Sequence, residues 1–375
     1  MKEMKEMKTR QLSRIEALDL VIGAKILACG GGGSDTDAIK NIKKTYDDGR
    51  FFTIGDLSSF KSKDYICIIG MVGGGITDED AKLIENLDVI QKNPMVAAVK
   101  ELEKFLDINF QGFVATELGP NNSIIPLMVA AQMDKIAIDG DCCGRSKPKI
   151  SISTTKITDI SISPFSIVNC YGDVQIVKKS ADDTRGEIVA REIARLSGGS
   201  VSVARCPMTI EKAKAAVIPG TFSLAIKLGN KVREANEKKE NPIKVIKKTL
   251  PDAKFIYTGE VKEFSRVEEG GFTSGEIMLQ SNETKNQLKI WYQNEYLLSW
   301  INDQHYVTCP DGFYIIDSHT GYGLTPWEED FEEGREVTVF VRDAPEIWRQ
   351  KQGLEVFGPQ VFDESWPEYK KASSF

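Results

Sequence analysis

Hydrophobic residues in the first half of the chain fall into short runs, and each run leads into small residues and then a helical pattern. Residues 17–28 carry their apolar side chains at helical spacing and end at four glycines, Gly30, Gly31, Gly32 and Gly33. Ser34 or Asp35 can cap the helix that follows, and a glycine closes it. The pattern therefore predicts two helices joined by a glycine-rich loop.

Three β-rich runs come next, and each leads into a polar or glycine-rich loop. The run DYICIIGMV leads to glycines 73–75 and a helix that Thr77 caps. The run GFVATEL leads to the loop 119–123 and a helix, and DKIAID leads to the loop 140–145. Strands that alternate with helices predict a parallel or mixed sheet. Loops at the carboxyl ends of parallel strands share one edge, so we expect a small molecule to bind there.

The predicted secondary structure changes after residue 151, where a hairpin, then helices and finally β-runs follow. The hairpin turns near Gly172, the helices flank Pro219, and β-signals dominate from Lys254 onward. We therefore predict a charged N-terminal tail over 1–14 and an α/β domain over 15–175. The remaining residues, 176–375, are predicted to form a β-rich α+β domain that is helical at first.

Composition and charge narrow the class of protein. The 375 residues carry a net charge of −7, which disfavours nucleic acid as the main partner because phosphate binding needs a concentrated basic surface. The sequence has no run of about 18 apolar residues, so we predict no membrane span. The N-terminus lacks the apolar core of a signal peptide. The seven cysteines include no CxxC pair, which predicts reduced thiols and a cytoplasmic location.

The side chains available for metal binding are few. The only two histidines are His305 and His319, so one chain cannot build a three-histidine zinc site. The cysteines lack chelate spacing. We therefore predict no closed zinc site built on histidine and name no metal-binding residue, and nothing in the sequence requires a cofactor.

The four-glycine loop is the first candidate for ligand contact. Backbone N–H groups of Gly31, Gly32 and Gly33 can surround an anion or the edge of a flat ring. The loop follows a helix rather than a strand, so it is not a dinucleotide fingerprint. A flexible linker is the alternative.

The segment that ends the run DKIAID is the second candidate. Asp139 and Asp141 lie two residues apart and share a face, and paired carboxylates suit proton transfer because one pKa is pushed up. Arg145 can stabilise a developing negative charge, or it can form a structural salt bridge with an aspartate. Cys142 and Cys143 are either small packing residues or, less favoured, nucleophiles.

These segments together resemble the S-methyl thiohydantoin desulfurase family, whose members are associated with hydantoinases and oxoprolinases. The likeness extends from about residue 22 to residue 362 and rests on the segments IGAKILACGGGGSD, MVGGG, TELGPNN, DGDCCGRSKP, CPMTIEKAKAAVIPGTFSLAIKLG, GGFTSGEI, YQNEYLL and WRQKQGLEVFGPQVF.

The resemblance implies an N-terminal α/β domain, a β-rich C-terminal domain and hydrolysis of a small five-membered ring that releases a methylated thiol. It also implies which residues form the site: Gly30 to Gly33 in the glycine-rich loop, Glu117 with Asn121 in the acidic loop, and Asp139, Asp141, Gly144 and Arg145 in the third segment.

Our first hypothesis is a hydrolase of a hydantoin-like or S-methyl thiohydantoin-like heterocycle. Asp141 is the predicted general base, Glu117 assists ring-nitrogen protonation, and Arg145 stabilises negative charge. The rival hypothesis is a non-catalytic binding or accessory subunit beside a hydantoinase-type enzyme, because no strong nucleophile–base motif is present. Metal-dependent hydrolysis with cysteine and carboxylate ligands stays open as a third. We further expect a homo-oligomer.

Overall fold

A computed structural model describes residues 9–326 and 330–375. Residues 1–8 of the predicted tail lie outside the described residues. Within the described part, Thr9–Gln11 forms a short strand, β1, in place of the end of that tail.

Helices lie mainly in the first two thirds of the chain. Within the described residues they are α1 (Arg14–Leu27), α2 (Asp35–Asp47), α3 (Asp78–Ile84), α4 (Pro94–Leu106), α5 (Pro120–Gln132), α6 (Thr154–Ile157), α7 (Asp183–Leu196), α8 (Ile210–Ala216), α9 (Thr221–Lys238), α10 (Pro242–Thr249), α11 (Glu346–Arg349) and α12 (Lys351–Phe357). Local signals explain several of their starts. Ser34 accepts a hydrogen bond from the third residue of α2, and Thr77 forms a capping box with Asp80.

The first sheet is mixed and forms the N-terminal domain with its helices. Its strands are β1, β2 (Thr53–Gly55), β3 (Tyr65–Gly73), β4 (Phe110–Ala115), β5 (Ile136–Asp141), β6 (Phe165–Val168), β7 (Val174–Val177), β8 (Ser200–Thr209) and β9 (Ile218–Pro219). They lie in the order β1-β2-β5-β4-β3-β8-β6-β7, and β9 pairs with β5. The neighbours β2, β5, β4 and β3 are parallel, whereas β1, β8, β6, β7 and β9 join antiparallel. The carboxyl ends of β3, β4 and β5 therefore share one edge.

The second sheet is antiparallel and forms the body of the C-terminal domain. Its strands are β10 (Lys254–Phe264), β11 (Val267–Glu269), β12 (Phe272–Gln280), β13 (Gln287–Gln293), β14 (Glu295–Ile301), β15 (Gln304–Thr308), β16 (Gly312–Asp317) and β17 (Glu336–Arg342). They lie in the order β15-β14-β13-β12-β10-β17-β16, with β11 beside β12. The fold is thus a mixed α/β domain followed by a β-rich domain. The division at residue 175 stays a prediction. Strands β8 and β9 of the first sheet lie beyond that residue in the chain.

The two domains share a hydrophobic core. One continuous cluster of buried residues includes Phe113 of β4, Leu20 of α1, Phe222 of α9 and Phe340 of β17. Helices α1 and α9 pack closely at Gly23, where a Cβ atom would lie 1.8 Å from a backbone oxygen of α9. The absence of a side chain on Gly23 permits this approach. Among the helices of the described residues, none has the length and apolar character needed to cross a membrane.

Candidate active site between the two domains

A cavity of about 320 Å³ lies where the carboxyl edge of the first sheet meets a hairpin of the second sheet. This volume suits a small ligand. We call it the relay cavity, and its lining comes from the glycine-rich loop, the ends of β3 and β4, the segment after β5, α7, and the turns before β12 and β14: Gly31, Gly32, Gly33, Ser34, Met71, Val72, Gly73, Thr116, Glu117, Asn122, Lys147, Pro148, Ile150, Arg191, Gly271, Thr273, Asn294 and Glu295.

The glycine-rich loop is held against the start of α5. The carbonyl oxygen of Gly32 accepts hydrogen bonds from the backbone N–H groups of Asn121 and Asn122 at 3.1 and 3.0 Å. Gly32 has φ +88°, and a Cβ atom there would lie 2.3 Å from the Cα atom of Gly119. Glycine is therefore required at this position for both conformation and space. The loop is a packed element rather than a flexible linker.

The β13–β14 hairpin brings a glutamate from the C-terminal domain to this loop. Asn294 makes the tight turn with φ +60°, and Glu295 follows it as the first residue of β14. The N–H of Tyr296 donates to the carbonyl oxygen of Cys29 at 2.8 Å, which docks the strand on the loop. A Cβ atom on Gly31 would lie 1.9 Å from Oε1 of Glu295, so any larger residue there would force this carboxyl group to move.

A serine hydroxyl joins two buried glutamates. Oγ of Ser146 lies 3.1 Å from Oε1 of Glu117 and 2.7 Å from Oε1 of Glu295. All three side chains are buried. A hydroxyl group has a single hydrogen to donate, so it can bond both carboxyl groups only if one of them is protonated and donates to it. The geometry therefore describes a pair of glutamates that share one proton through Ser146.

The surroundings decide which glutamate holds this proton. Burial raises the pKa of Glu295 well above its usual value, and the negative charge of Glu117 raises it further. Oε2 of Glu295 has no hydrogen-bond partner among the described residues. Burial also raises the pKa of Glu117, but the charge of Lys147 and a 2.5 Å hydrogen bond from Asn122 oppose that rise. The proton of the pair therefore resides preferentially on Glu295, and Glu117 is the more readily ionised of the two.

Two cationic side chains, Arg191 and Lys147, also line the cavity, and they differ in how many hydrogen-bond and ion-pair partners they have. Arg191 pairs with Glu187 at 2.8 Å, donates to the carbonyl oxygen of Gly73 and lies over the ring of Phe272. Lys147 is buried, and within the described part of the chain its ammonium group donates only to a carbonyl oxygen at 3.4 Å. An ammonium group has three hydrogens to donate. Lys147 is thus the cation with donors to spare for a ligand.

The structure places the predicted aspartates away from this cavity. Asp139 accepts hydrogen bonds from the backbone N–H and hydroxyl groups of Ser223 in the first turn of α9. Asp141 is fully buried, and its Oδ1 accepts from the N–H groups of Cys143 and Gly144 at 2.7 and 2.6 Å. The two carboxylates therefore have separate hydrogen-bond partners rather than each other.

Arg145 is also buried, but it binds the backbone rather than an aspartate. It donates to the carbonyl oxygens of Ser146, Tyr296 and Asp311 at 3.1, 2.6 and 2.5 Å, so it joins the two domains. Together with Gly144 it lines a different cavity. The expected Asp–Arg salt bridge is not among the ion pairs of the described residues.

The remaining predicted residues divide between the cavity and the core. Gly31, Gly32, Gly33 and Glu117 line the relay cavity, whereas Asn122 lines it in place of its neighbour Asn121. Cys142 and Cys143 have no exposed surface. Burial raises the pKa of Cys142 to about 12 and that of Cys143 well above its usual value, so both thiols stay neutral. Their positions match packing residues.

Sequence reasoning missed several residues of the site, among them Asn122, Lys147 and Glu295 of the cavity lining and Ser146, which joins the two glutamates. A signal existed for the last three of these. Ser146 and Lys147 directly follow Arg145 in the segment DGDCCGRSKP, and Glu295 is the acidic residue of YQNEYLL. Among residues 9–326 and 330–375, no group of three or more His, Cys, Asp and Glu side chains has the arrangement of a metal site.

Comparisons with known proteins agree with this two-domain arrangement. The X-ray crystal structure of a protein from Chromobacterium violaceum superposes with a TM-score of 0.79, at 18% sequence identity over 97% of this chain and 100% of that chain. At this identity the likeness shows the fold alone. A search of curated proteins finds no match.

Two family models match consecutive parts of the sequence. Residues 15–179 match the S-Me-THD-like N-terminal domain, and residues 181–371 match the S-Me-THD-like C-terminal domain. The matches cover nearly all of the chain and confirm the resemblance found in the sequence. The chain belongs to the S-Me-THD-like family.

Proposed function

We propose that this protein is a hydrolase of a small, neutral five-membered heterocycle of the S-methyl thiohydantoin type. The observation that carries the proposal is the pair of buried glutamates that share a proton through Ser146. One ionised and one neutral carboxyl group in the same cavity provide a general base and a general acid at the same pH. The family membership supplies the class of substrate.

In the proposed reaction Glu117 takes a proton from water, and the oxygen of that water forms a bond to the ring carbon that bears sulfur. Glu295 gives its proton to the adjacent ring nitrogen, so the C=N bond becomes a C–N bond. The intermediate then collapses as the C–S bond breaks and a carbonyl forms. Its hydroxyl proton returns to Glu295, and the methylthiolate leaves with the proton held by Glu117. Water and substrate thus become hydantoin and methanethiol.

Other lining residues suit the binding of such a ring. Asn122 and Lys147 present donors for ring carbonyl oxygens, and Met71, Val72 and Ile150 offer apolar surface to a substituent. Lys147 and Arg191 are balanced by Glu117 and by Glu187, the partner of Arg191. This balance favours a substrate without net charge, since a charged ring would lose hydration without gaining a counter-ion.

The base role moves from Asp141 to Glu117 in this proposal. Asp141 is fully buried, and one of its oxygens is occupied by two backbone N–H groups. A general base must lie within hydrogen-bond reach of the proton that it takes. Glu117 meets that condition for a molecule in the relay cavity. Arg145 becomes a structural residue that holds the domains together.

The decisive experiment is turnover of S-methyl thiohydantoin by the purified protein, followed through release of methanethiol with a thiol reagent. We expect Glu117→Gln and Glu295→Gln to lower kcat by about 10²–10⁴-fold. Asp141→Asn is the matched control, because it also neutralises a buried carboxylate, and it should stay within tenfold of the wild type. Loss of activity in Asp141→Asn with normal activity in Glu117→Gln would reverse the assignment. No turnover by pure wild-type protein would support the accessory-subunit hypothesis.

A cytoplasmic location and a homo-oligomeric state remain part of the proposal. All seven cysteines are free thiols, which suits a reducing compartment. Size-exclusion chromatography with light scattering tests the oligomeric state, and a monomer at micromolar concentration would reject it.

A further inference from the structure

A second cavity lies between the two domains and is lined by Gly144 and Arg145, which directly precede Ser146 and Lys147 in the chain. It has a volume of about 370 Å³, within the range of small-ligand sites. We call it the arginine cavity, and it is lined by residues from both domains: Leu27, Leu118, Gly144, Arg145, Ile218, Pro219, Gly220, Thr221, Leu224, Pro310, Gly312, Tyr314, Arg342, Asp343, Ala344, Pro345, Glu346 and Arg349. It shares no lining residue with the relay cavity.

Two of its arginines lack a carboxylate partner. Among the described residues, Arg145 donates only to backbone carbonyl oxygens, and Arg349 donates to the carbonyl oxygen of Ala344 at 2.9 Å. Arg342 differs, since it pairs with Asp252 at 2.8 Å. Arg145 is buried, whereas Arg349 is partly exposed. A buried guanidinium without a counter-ion is costly, and an anion beside it lowers that cost.

The acidic residues of the lining do not fill this role. Asp343 accepts hydrogen bonds from the backbone and hydroxyl groups of Ser373 at 2.7 Å. Glu346 is exposed and forms no ion pair in the part of the chain that the structure describes. Apolar surface from Leu27, Ile218 and Leu224 completes the cavity. The lining thus combines unpaired guanidinium groups with walls that suit a hydrocarbon body.

From this combination we infer that the arginine cavity is a second binding site, separate from the relay cavity, for a small organic carboxylate with an apolar body. Guanidinium groups bind carboxylates through paired N–H···O hydrogen bonds, which a neutral amide of the same shape cannot match. The inference does not depend on the proposed reaction, because no residue of the glutamate pair contributes to it.

The test is calorimetric titration of the full-length protein with benzoate, and with benzamide as the uncharged control. We expect benzoate to bind and benzamide to bind at least about tenfold more weakly, because hydrogen bonds to charged groups exceed neutral ones by this much. Arg349→Gln should weaken benzoate by about tenfold or more. Lys351→Gln removes the same charge two residues away, at an exposed position outside the cavity, and should leave the affinity unchanged.

A crystal soaked with 4-bromobenzoate locates the site directly through the anomalous signal of bromine. A peak between Arg349 and Leu224 supports the inference. A peak in the relay cavity, equal binding of benzoate and benzamide, or equal losses in Arg349→Gln and Lys351→Gln would overturn it. So would the absence of benzoate binding to wild-type protein.

Discussion

A single methyl group added at Gly31 tests the glutamate pair without changing any titratable group. A Cβ atom there would lie 1.9 Å from Oε1 of Glu295 and 2.6 Å from Oγ of Ser146, whereas real Cβ contacts essentially never fall below 3.0 Å. Gly31 is not among the residues with positive φ, so alanine fits its backbone conformation. The perturbation in Gly31→Ala is therefore steric, and it acts on both partners of one hydrogen bond.

The distances give the size of the effect. In the wild-type protein Oε1 of Glu295 lies 2.7 Å from Oγ of Ser146. In Gly31→Ala this oxygen must move by at least about 1 Å, which takes it out of hydrogen-bond reach of Ser146. A misplacement of about 1 Å can cost about 10²-fold in rate. Overpacking a buried site costs about 1–3 kcal/mol of unfolding free energy, which is less than the about 5–15 kcal/mol of a typical protein. We therefore expect a folded protein with about a hundredfold lower kcat.

The assay is methanethiol release at saturating substrate, with urea unfolding of the same samples. Gly70→Ala is the matched control, because a Cβ atom at Gly70 in β3 meets nothing within 4 Å and its φ is not positive. It should keep wild-type turnover. Wild-type turnover in a folded Gly31→Ala protein would refute the role of the glutamate pair, and an equal loss in Gly70→Ala would show that the effect is not specific to the pair.

Three further substitutions probe the buried carboxyl network. Ser146→Ala removes the group that joins the glutamates, and we expect kcat to fall by about 10²-fold, with a loss of about 1–3 kcal/mol in unfolding free energy because two buried carboxyl groups lose a partner. Tyr369→Phe removes a 2.8 Å hydrogen bond to the buried carboxyl group of Asp311, whose pKa burial raises to about 6. Urea unfolding at pH 8, where Asp311 is ionised, should show a loss of about 1.5–3 kcal/mol, and a smaller loss at pH 5. Burial likewise raises the pKa of Asp141 from 3.8 to about 6, so the folded protein retains a proton that the unfolded chain releases. The contribution of this proton to the unfolding free energy is fully present below about pH 4. It is lost as the pH rises through about 6, and the total loss is about 3 kcal/mol. Asp141→Asn does not titrate, so its unfolding free energy relative to the wild type should rise by that amount across this window; a constant difference would contradict the buried charge.

The helices and strands could be predicted largely because their signals are local. The predicted helix over 17–28 corresponds to α1, and the predicted caps Ser34 and Thr77 both accept the expected hydrogen bonds. The run DYICIIGMV forms β3. A cap or a short apolar run involves neighbours in the chain, so the sequence contains the whole interaction.

Features that depend on distant contacts were harder to predict. The run LKIWYQNEYLLSWI shows one continuous β-pattern, but the chain turns at Asn294 and divides it into β13 and β14. A turn residue with φ +60° is usually glycine, and asparagine gives a weaker signal. Strand β8 joins β3 antiparallel, which alternating strands and helices do not reveal.

The candidate site shows the same division between local and distant information. Asp141 and Glu117 both stand at the carboxyl edge of the sheet, so the sequence alone ranks them alike. Their fates differ because the chain after β5 folds back and offers Asp141 the N–H groups of residues 143 and 144, which satisfy one carboxylate oxygen locally. Glu117 has no such turn, and its neighbour through Ser146 is Glu295 from the other domain. A carboxyl group with one oxygen bound by its own loop is held in place, whereas one joined to a second carboxyl group across domains shares a proton. The domain interface, rather than the strand-end motif, therefore creates the acid–base pair.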